Sequence, residues 1–86
     1  MFINVKKLNS KAKLPERATA TSAGADLCAC IDDDVVLMPG DRKLIPTGLA
    51  IAVPTGYGGF VFARSGLSSK FGVSLANCVG VIDSDY

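Results

Sequence analysis

A chain of 86 residues forms one domain at most, and size scaling lets such a domain bury roughly 60–65% of the surface its unfolded form exposes. Apolar residues make up 49% and charged residues 20% of it, a globular composition rather than a disordered one. Nine Lys and Arg against eight Asp and Glu leave a net charge of +1, without the basic excess of a nucleic-acid-binding protein, and the absence of His excludes Ser-His-Asp and Cys-His catalysis and His-based zinc sites.

The opening Met1-Phe2-Ile3-Asn4-Val5-Lys6-Lys7 has no basic segment leading into an apolar stretch of signal-peptide length, and later apolar runs are too short to span a bilayer. The expectation is a soluble, unexported protein with no membrane or nucleic-acid partner, cytoplasmic, or nuclear or organellar in a eukaryote. Short β-type runs alternate with Pro and Gly punctuation, and no long stretch has a helical period. Strands are predicted in order at Phe2–Leu8, Ala25–Cys30, Val35–Leu37, Arg42–Pro46, Leu49–Val53, Tyr57–Ala63, Val73–Leu75 and Cys78–Ile82. Eight short strands predict an all-β sandwich or jelly roll. Met38-Pro39-Gly40-Asp41, Pro46-Thr47-Gly48, Pro54-Thr55-Gly56 and Gly58-Gly59 supply turns with a fixed φ or a tolerance of positive φ.

One segment predicts a helix of two turns at most. In Ser65-Gly66-Leu67-Ser68-Ser69-Lys70-Phe71-Gly72, Ser65 is placed to cap, Leu67 and Phe71 are four apart, and Gly72 is placed to terminate. Three cysteines, Cys28, Cys30 and Cys78, cannot all pair within one chain. They read as small buried hydrophobes with reduced thiols in a cytosol-like compartment. Asp32-Asp33-Asp34 lacks the Gly and Glu spacing of an EF-hand loop and reads as a solvated acidic turn.

Chemistry must then rest on Asp, Arg, Ser, Tyr, backbone groups or a bound ion. Three segments are placed to supply it, and each has a plainer reading beside the functional one. Ala63-Arg64-Ser65-Gly66 joins a strand to the short helix, where free N–H groups, a hydroxyl and a guanidinium can hold phosphate oxygens; an ordinary strand-to-helix turn has the same residues. Ala23-Gly24-Ala25-Asp26-Leu27 sets one Asp among small residues that admit a close ligand or a second chain; a capping Asp at a β-turn is the alternative. Ile82-Asp83-Ser84-Asp85-Tyr86 ends an apolar run with two carboxylates and a phenol. On an extended strand Asp83 and Asp85 would share one face, Ser84 and Tyr86 the other; a polar turn is the alternative.

In order and together, Ala-Gly-x-Asp-Leu, Arg-Ser-Gly-Leu and Asn-x-x-Gly-x-Ile-Asp-Ser-Asp-Tyr resemble the first three signature motifs of the trimeric dUTPase family. The likeness runs from the N-terminal strand to Tyr86, and the intervening Pro-Gly-Asp, Pro-Thr-Gly and Pro-x-Gly-Tyr turns are similar too. It implies a jelly-roll subunit (the dUTPase-like β-clip), hydrolysis of dUTP to dUMP and pyrophosphate in nucleotide metabolism, a Mg²⁺ cofactor, and a homotrimer with three active sites at subunit interfaces.

On that resemblance, Asp83 matches the catalytic carboxylate that activates water for attack on the α-phosphorus. Asp26 matches the first-motif Asp that acts near the metal, through metal-bound water. Arg64, Ser65 and Gly66 match the segment that holds the phosphate chain. The run from Asn77 to Tyr86 matches the base-binding hairpin, with main-chain groups at Gly80, Val81 and Ile82 imitating a pairing partner for uracil and Asn77 assisting. Tyr86 matches the ring that packs under the deoxyribose and leaves no room for a 2′-hydroxyl. Gly80 is expected to give the hairpin its tight path, and Asp85 to be structural.

Two departures from the family pattern stand out. Ala63 takes the place of the more usual Pro before Arg-Ser, which removes no ligand. The family also continues beyond Tyr86 with further strands, a fourth motif and a Gly-rich arm, so the expectation is an N-terminal part of a dUTPase domain, incomplete at its C-terminus and inactive by itself. Two other readings remain: a non-catalytic β-sandwich trimerisation or interaction module, and a dCTP deaminase-like enzyme of the same fold.

Overall fold

The computed structural model describes residues 1–86, which fall into two units, one of residues 4–51 and one of residues 1–3 with 52–86.

In the first unit, β1 (Val5–Lys7) pairs antiparallel with β2 (Leu49–Ile51), in the register Val5↔Ile51, Lys6↔Ala50, Lys7↔Leu49. The ladder continues through the Leu8 N–H, which donates to the Gly48 carbonyl at 2.7 Å. The long connection is pinned at two points. Glu16 and Asp26 form an isolated antiparallel bridge, with N–H to carbonyl distances of 3.3 and 2.8 Å, and the Cys30 N–H donates to the Pro46 carbonyl at 2.8 Å. In the Met38–Asp41 turn the Asp41 N–H returns to the Met38 carbonyl at 2.9 Å, while the Asp41 carboxylate accepts from the Met38 N–H at 3.0 Å. Asp32, in the acidic run, pairs across solvent with Lys11 at 3.1 Å.

Gly48 is the tightest point of this unit. Its φ of +69° is one that side chains rarely adopt, and a β-carbon there would stand 3.0 Å from Ala12 Cβ and 3.1 Å from Cys30 Sγ. Ala12, 3% exposed, is the one buried apolar residue of the chain. Gly48→Ala combines a left-handed L residue with overpacking, so it is expected to lower the stability of the full chain by about 2–4 kcal/mol. Urea denaturation tests this, and an unchanged midpoint would refute it.

In the second unit, β3 (Gly59–Phe62) pairs antiparallel with β4 (Val79–Ile82), in the register Gly59↔Ile82, Phe60↔Val81, Val61↔Gly80, Phe62↔Val79. Between them lies α1 (Ser65–Phe71). Gly72 ends the helix in the left-handed region at φ 67°, and its N–H donates to the Ser68 carbonyl at 3.0 Å. The Ser68 hydroxyl reaches past it to the Val73 carbonyl at 2.9 Å, and Lys70 places its charge in the last turn, where the helix dipole favours a cation. No helix is long and apolar enough to cross a membrane.

Four of the eight expected strands are present, each trimmed at one or both ends. Ala25–Cys30, Val35–Leu37, Arg42–Pro46 and Val73–Leu75 are not strands in the chain. Their β-branched and apolar residues favour an extended backbone, but a strand needs a neighbouring ladder. Here the first and third offer only the bonds of Asp26 and Cys30, and the Val73 N–H turns back to the Leu67 carbonyl at 3.2 Å. Val36 and Leu44, in these runs, are exposed.

Three smaller expectations also change. Ser65 is the first helical residue, and Arg64, with extended φ and ψ, occupies the cap position, where no side chain makes a capping bond. Gly58 and Gly59 have no positive φ; Gly59 is needed instead because a β-carbon there would meet Val53 at 3.0 Å and Ile82 at 3.2 Å. Cys28 and Cys78 are exposed rather than buried, and only Cys30 is half-buried.

Candidate functional site

Two candidate segments lie in the unit that contains the β3–β4 ribbon, and its register fixes where each stands on it. Because Phe62 pairs with Val79, the chain leaving β3 into Arg64-Ser65-Gly66 and the chain entering β4 from Asn77 meet at one end of the ladder. Gly59 pairs with Ile82 at the other end, and Asp83 follows directly. Three ladder steps, on the order of 10 Å, separate the two ends. Asp26 belongs to the unit of residues 4–51, with its backbone held by the Glu16 bridge.

At the first end, Arg64 is extended and Ser65 and Gly66 open α1, all three exposed. Gly66 has an ordinary φ, and a β-carbon on it would meet nothing within 4 Å. The packing of this chain therefore does not require glycine there, and the space stays open to something outside the chain. At the same end of the ladder, Asn77 lies in a tight reverse turn: the Cys78 N–H donates to the Leu75 carbonyl at 3.1 Å and the Val79 N–H to the Asn77 carbonyl at 2.7 Å.

Along β4, Gly80 stands opposite Val61. Its φ is not positive, so the tight path expected of it is a close approach of side chains rather than a backbone turn. A β-carbon at Gly80 would stand 3.3 Å from Val61 Cβ and 3.9 Å from Asn77 Nδ2. β4 has β3 as its single neighbour, so its other edge leaves N–H and carbonyl groups of Val79 to Ile82 without ladder partners. Such an edge can read a flat ligand through the backbone.

At the second end the expected geometry needs correction. Asp83 and Asp85 do not share one face of an extended strand, because β4 stops at Ile82 and Asp83–Tyr86 is a turn, closed by the Tyr86 N–H on the Asp83 carbonyl at 3.2 Å. Asp and Ser carry low strand propensity and favour turns, which is why the period-2 reading fails at this point. Asp83, Ser84, Asp85 and Tyr86 are exposed, and the Tyr86 ring is free of cover.

Sequence reasoning missed the left-handed backbone of Cys78, at φ 65°. No residue-type signal announces it, since Gly or Asn is the usual occupant of that region.

A family model described as dUTPase matches residues 10–86. A deoxyuridine 5′-triphosphate nucleotidohydrolase of Syntrophotalea carbinolica is 52% identical over 84 residues, covering 98% of this chain and 57% of that protein. One from Desulfitobacterium hafniense is 60% identical over 75 residues, covering 86% of this chain and 50% of its own length. Among solved structures, a mutant dUTPase from phage phi11 of S. aureus, reported with a structural Mg(II) ion, superposes with a TM-score of 0.87 at 36% identity, over 100% of this chain and 54% of that one. A mutant dUTPase of Staphylococcus bacteriophage 80alpha with dUpNHpp gives a TM-score of 0.87 at 38% identity, over 99% and 48%. The chain thus spans about half the length of the curated relatives it matches, and its fold class is the all-β jelly roll of these neighbours. On a family match that includes all three motifs, the chain belongs to the dUTPase family.

Proposed function

We infer that this chain forms part of an enzyme that hydrolyses dUTP to dUMP and pyrophosphate. The observation that carries this reading is the β4 segment from Asn77 to Tyr86, an open backbone edge with an amide at one end and a carboxylate and a phenol ring at the other. The Asp83 carboxylate accepts a proton from water, whose oxygen attacks the α-phosphorus while pyrophosphate departs. Arg64, Ser65 and Gly66 hold the phosphate oxygens through guanidinium, hydroxyl and amide donors. Main-chain groups of Gly80, Val81 and Ile82, with the Asn77 side chain, pair with uracil, and a cytosine ring would leave those groups mismatched. The Tyr86 ring packs under the deoxyribose and disfavours a 2′-hydroxyl. Asp85 belongs to the turn that holds Asp83 and Tyr86 in place.

For a metal, the donor set fits magnesium. No three His, Cys, Asp or Glu side chains gather into a cage, and Mg²⁺ characteristically binds one or two carboxylates together with substrate phosphates and waters. Asp26 would hold it through water, and the ion would neutralise charge on the phosphate chain.

The active enzyme is a homotrimer with shared sites, and the ribbon geometry supports this. In a nucleotide the α-phosphate lies between the sugar and the rest of the phosphate chain. In one chain, however, the base-reading Asn77 and the phosphate-binding Arg64-Ser65-Gly66 lie at the same end of the ladder, with Asp83 at the other. A nucleotide laid along β4 from Asn77 to Asp83 carries its phosphates away from Arg64-Ser65-Gly66 of the same chain, which favours a phosphate-binding segment from a second copy. A cytoplasmic location accompanies this reading, in keeping with three unpaired cysteines.

The direct test is an assay of the full-length protein that contains this chain, with Mg²⁺ and dUTP, and with dCTP and UTP as competitors. Release of pyrophosphate and dUMP from dUTP is the expected outcome. Ammonia release from dCTP would replace this reading with a deaminase, and no turnover or binding of any of the three would replace it with an assembly module.

A further inference from the structure

Cys78 is the one residue other than glycine with a positive φ, at 65°. In that region the Cβ of an L residue crowds the following carbonyl, a strain that Gly escapes and Asn tolerates. The hydrogen bonds around Cys78 show what the strained backbone holds in place. The 2.7 Å bond from the Val79 N–H to the Asn77 carbonyl spans a single residue, which makes 77–79 a γ-turn centred on Cys78, with the φ sign of the rarer, strained form. The turn ends where β4 begins, so it sets the direction from which Asn77 meets the strand. Asn77 Nδ2 is brought to 3.9 Å from the point where a β-carbon on Gly80 would stand, a point that glycine leaves open. Strained residues of this kind persist where the surroundings over-determine them, and they cluster at ligand clamps.

We propose that Cys78 is a positioning residue for recognition of the pyrimidine: its left-handed backbone holds the Asn77 amide over the gap at Gly80, so that the base-reading edge is set before a nucleotide arrives. The inference rests on the dUTP reading given above. The role belongs to the backbone at this position, not to the thiol. A pre-set amide spares the ordering cost of binding. Its loss therefore raises KM and weakens the preference for uracil over cytosine. It leaves kcat alone, because Asp83 lies beyond the other end of the ladder.

The test compares substitutions in the full-length protein that contains this chain, chosen to differ in their tolerance of positive φ. Cys78→Val, close in volume but β-branched, is expected to raise KM for dUTP about tenfold with kcat within about twofold, and to narrow the preference for dUTP over dCTP. Cys78→Asn, which tolerates the left-handed region, keeps KM near the wild-type value. In an Asn77→Ala background Cys78→Val adds nothing further, the signature of two residues acting as one. If Cys78→Val does not fold, Cys78→Thr is read in the same way. An unchanged KM in the β-branched variant overturns the inference, as does an equal loss in Cys78→Asn. In both cases wild-type turnover leaves the functional reading standing, whereas a full-length wild-type protein that binds neither dUTP nor dUpNHpp removes both.

Discussion

Asp83→Asn is expected to lower kcat for dUTP hydrolysis by about 10²- to 10⁴-fold, the range a positioned general base contributes, while binding of dUpNHpp persists. The amide keeps the size and hydrogen-bonding reach of the carboxylate but cannot take a proton from water. Asp83 follows the last residue of β4 and its carbonyl closes the turn with Tyr86, a bond made by the main chain and untouched by the substitution. The side chain is exposed, so no packing is lost. Single-turnover kinetics beside calorimetry with dUpNHpp separate chemistry from binding. Wild-type turnover in Asp83→Asn would remove Asp83 from the mechanism, and lost binding with unchanged kcat would recast it as a substrate ligand.

Mixed oligomers provide the second large effect. If a site takes Asp83 from one copy and Ser65 from another, then Asp83→Asn and Ser65→Ala chains, each nearly inactive, restore activity when unfolded and reassembled together. With random assembly at equal amounts, about one quarter of the sites receive both intact residues, because each contributing copy is the right one half the time. The recovered kcat is therefore about 25% of wild type, against a background of about 1% or less set by the loss of the base. The opposite placement of the two segments on the β3–β4 ribbon motivates the experiment. No recovery above the sum of the separate variants would show that both residues serve a site within one chain.

The candidate site residues could be named from the sequence, because the segments concerned are short and are matched by residue type. Asp83, Arg64-Ser65-Gly66 and Asn77 through Tyr86 are recognisable in order along the chain. The turns were legible for the same reason: Pro39-Gly40 and Pro54-Thr55-Gly56 carry their conformational preferences wherever they occur, and both glycines have positive φ. The helix at Ser65–Phe71 was legible from the Leu67 to Phe71 spacing and the terminating Gly72. Four expected strands failed because strand propensity describes one segment and a ladder requires two. Val35–Leu37 has the composition of a strand without a partner in this chain. The shared-face reading of Asp83 and Asp85 failed because alternation holds only while the strand lasts, and β4 ends one residue earlier.

The sequence by itself determined the chemical inventory of this protein: which groups can bind phosphate, take a proton or stack on a sugar, and that histidine is not among them. Such properties belong to single side chains and do not depend on where the chain goes. Tertiary structure alone decided which of these groups stand together. Pairing of Phe62 with Val79 and of Gly59 with Ile82 put Asn77 and Arg64-Ser65-Gly66 at one end of the ladder and Asp83 at the other. The left-handed Cys78 that turns Asn77 toward Gly80 was decided in the same way. Register and positive φ arise from hydrogen bonds between separate segments, whose combined energy overrides the local preference of any one residue, so neither can be read from residue types in a row.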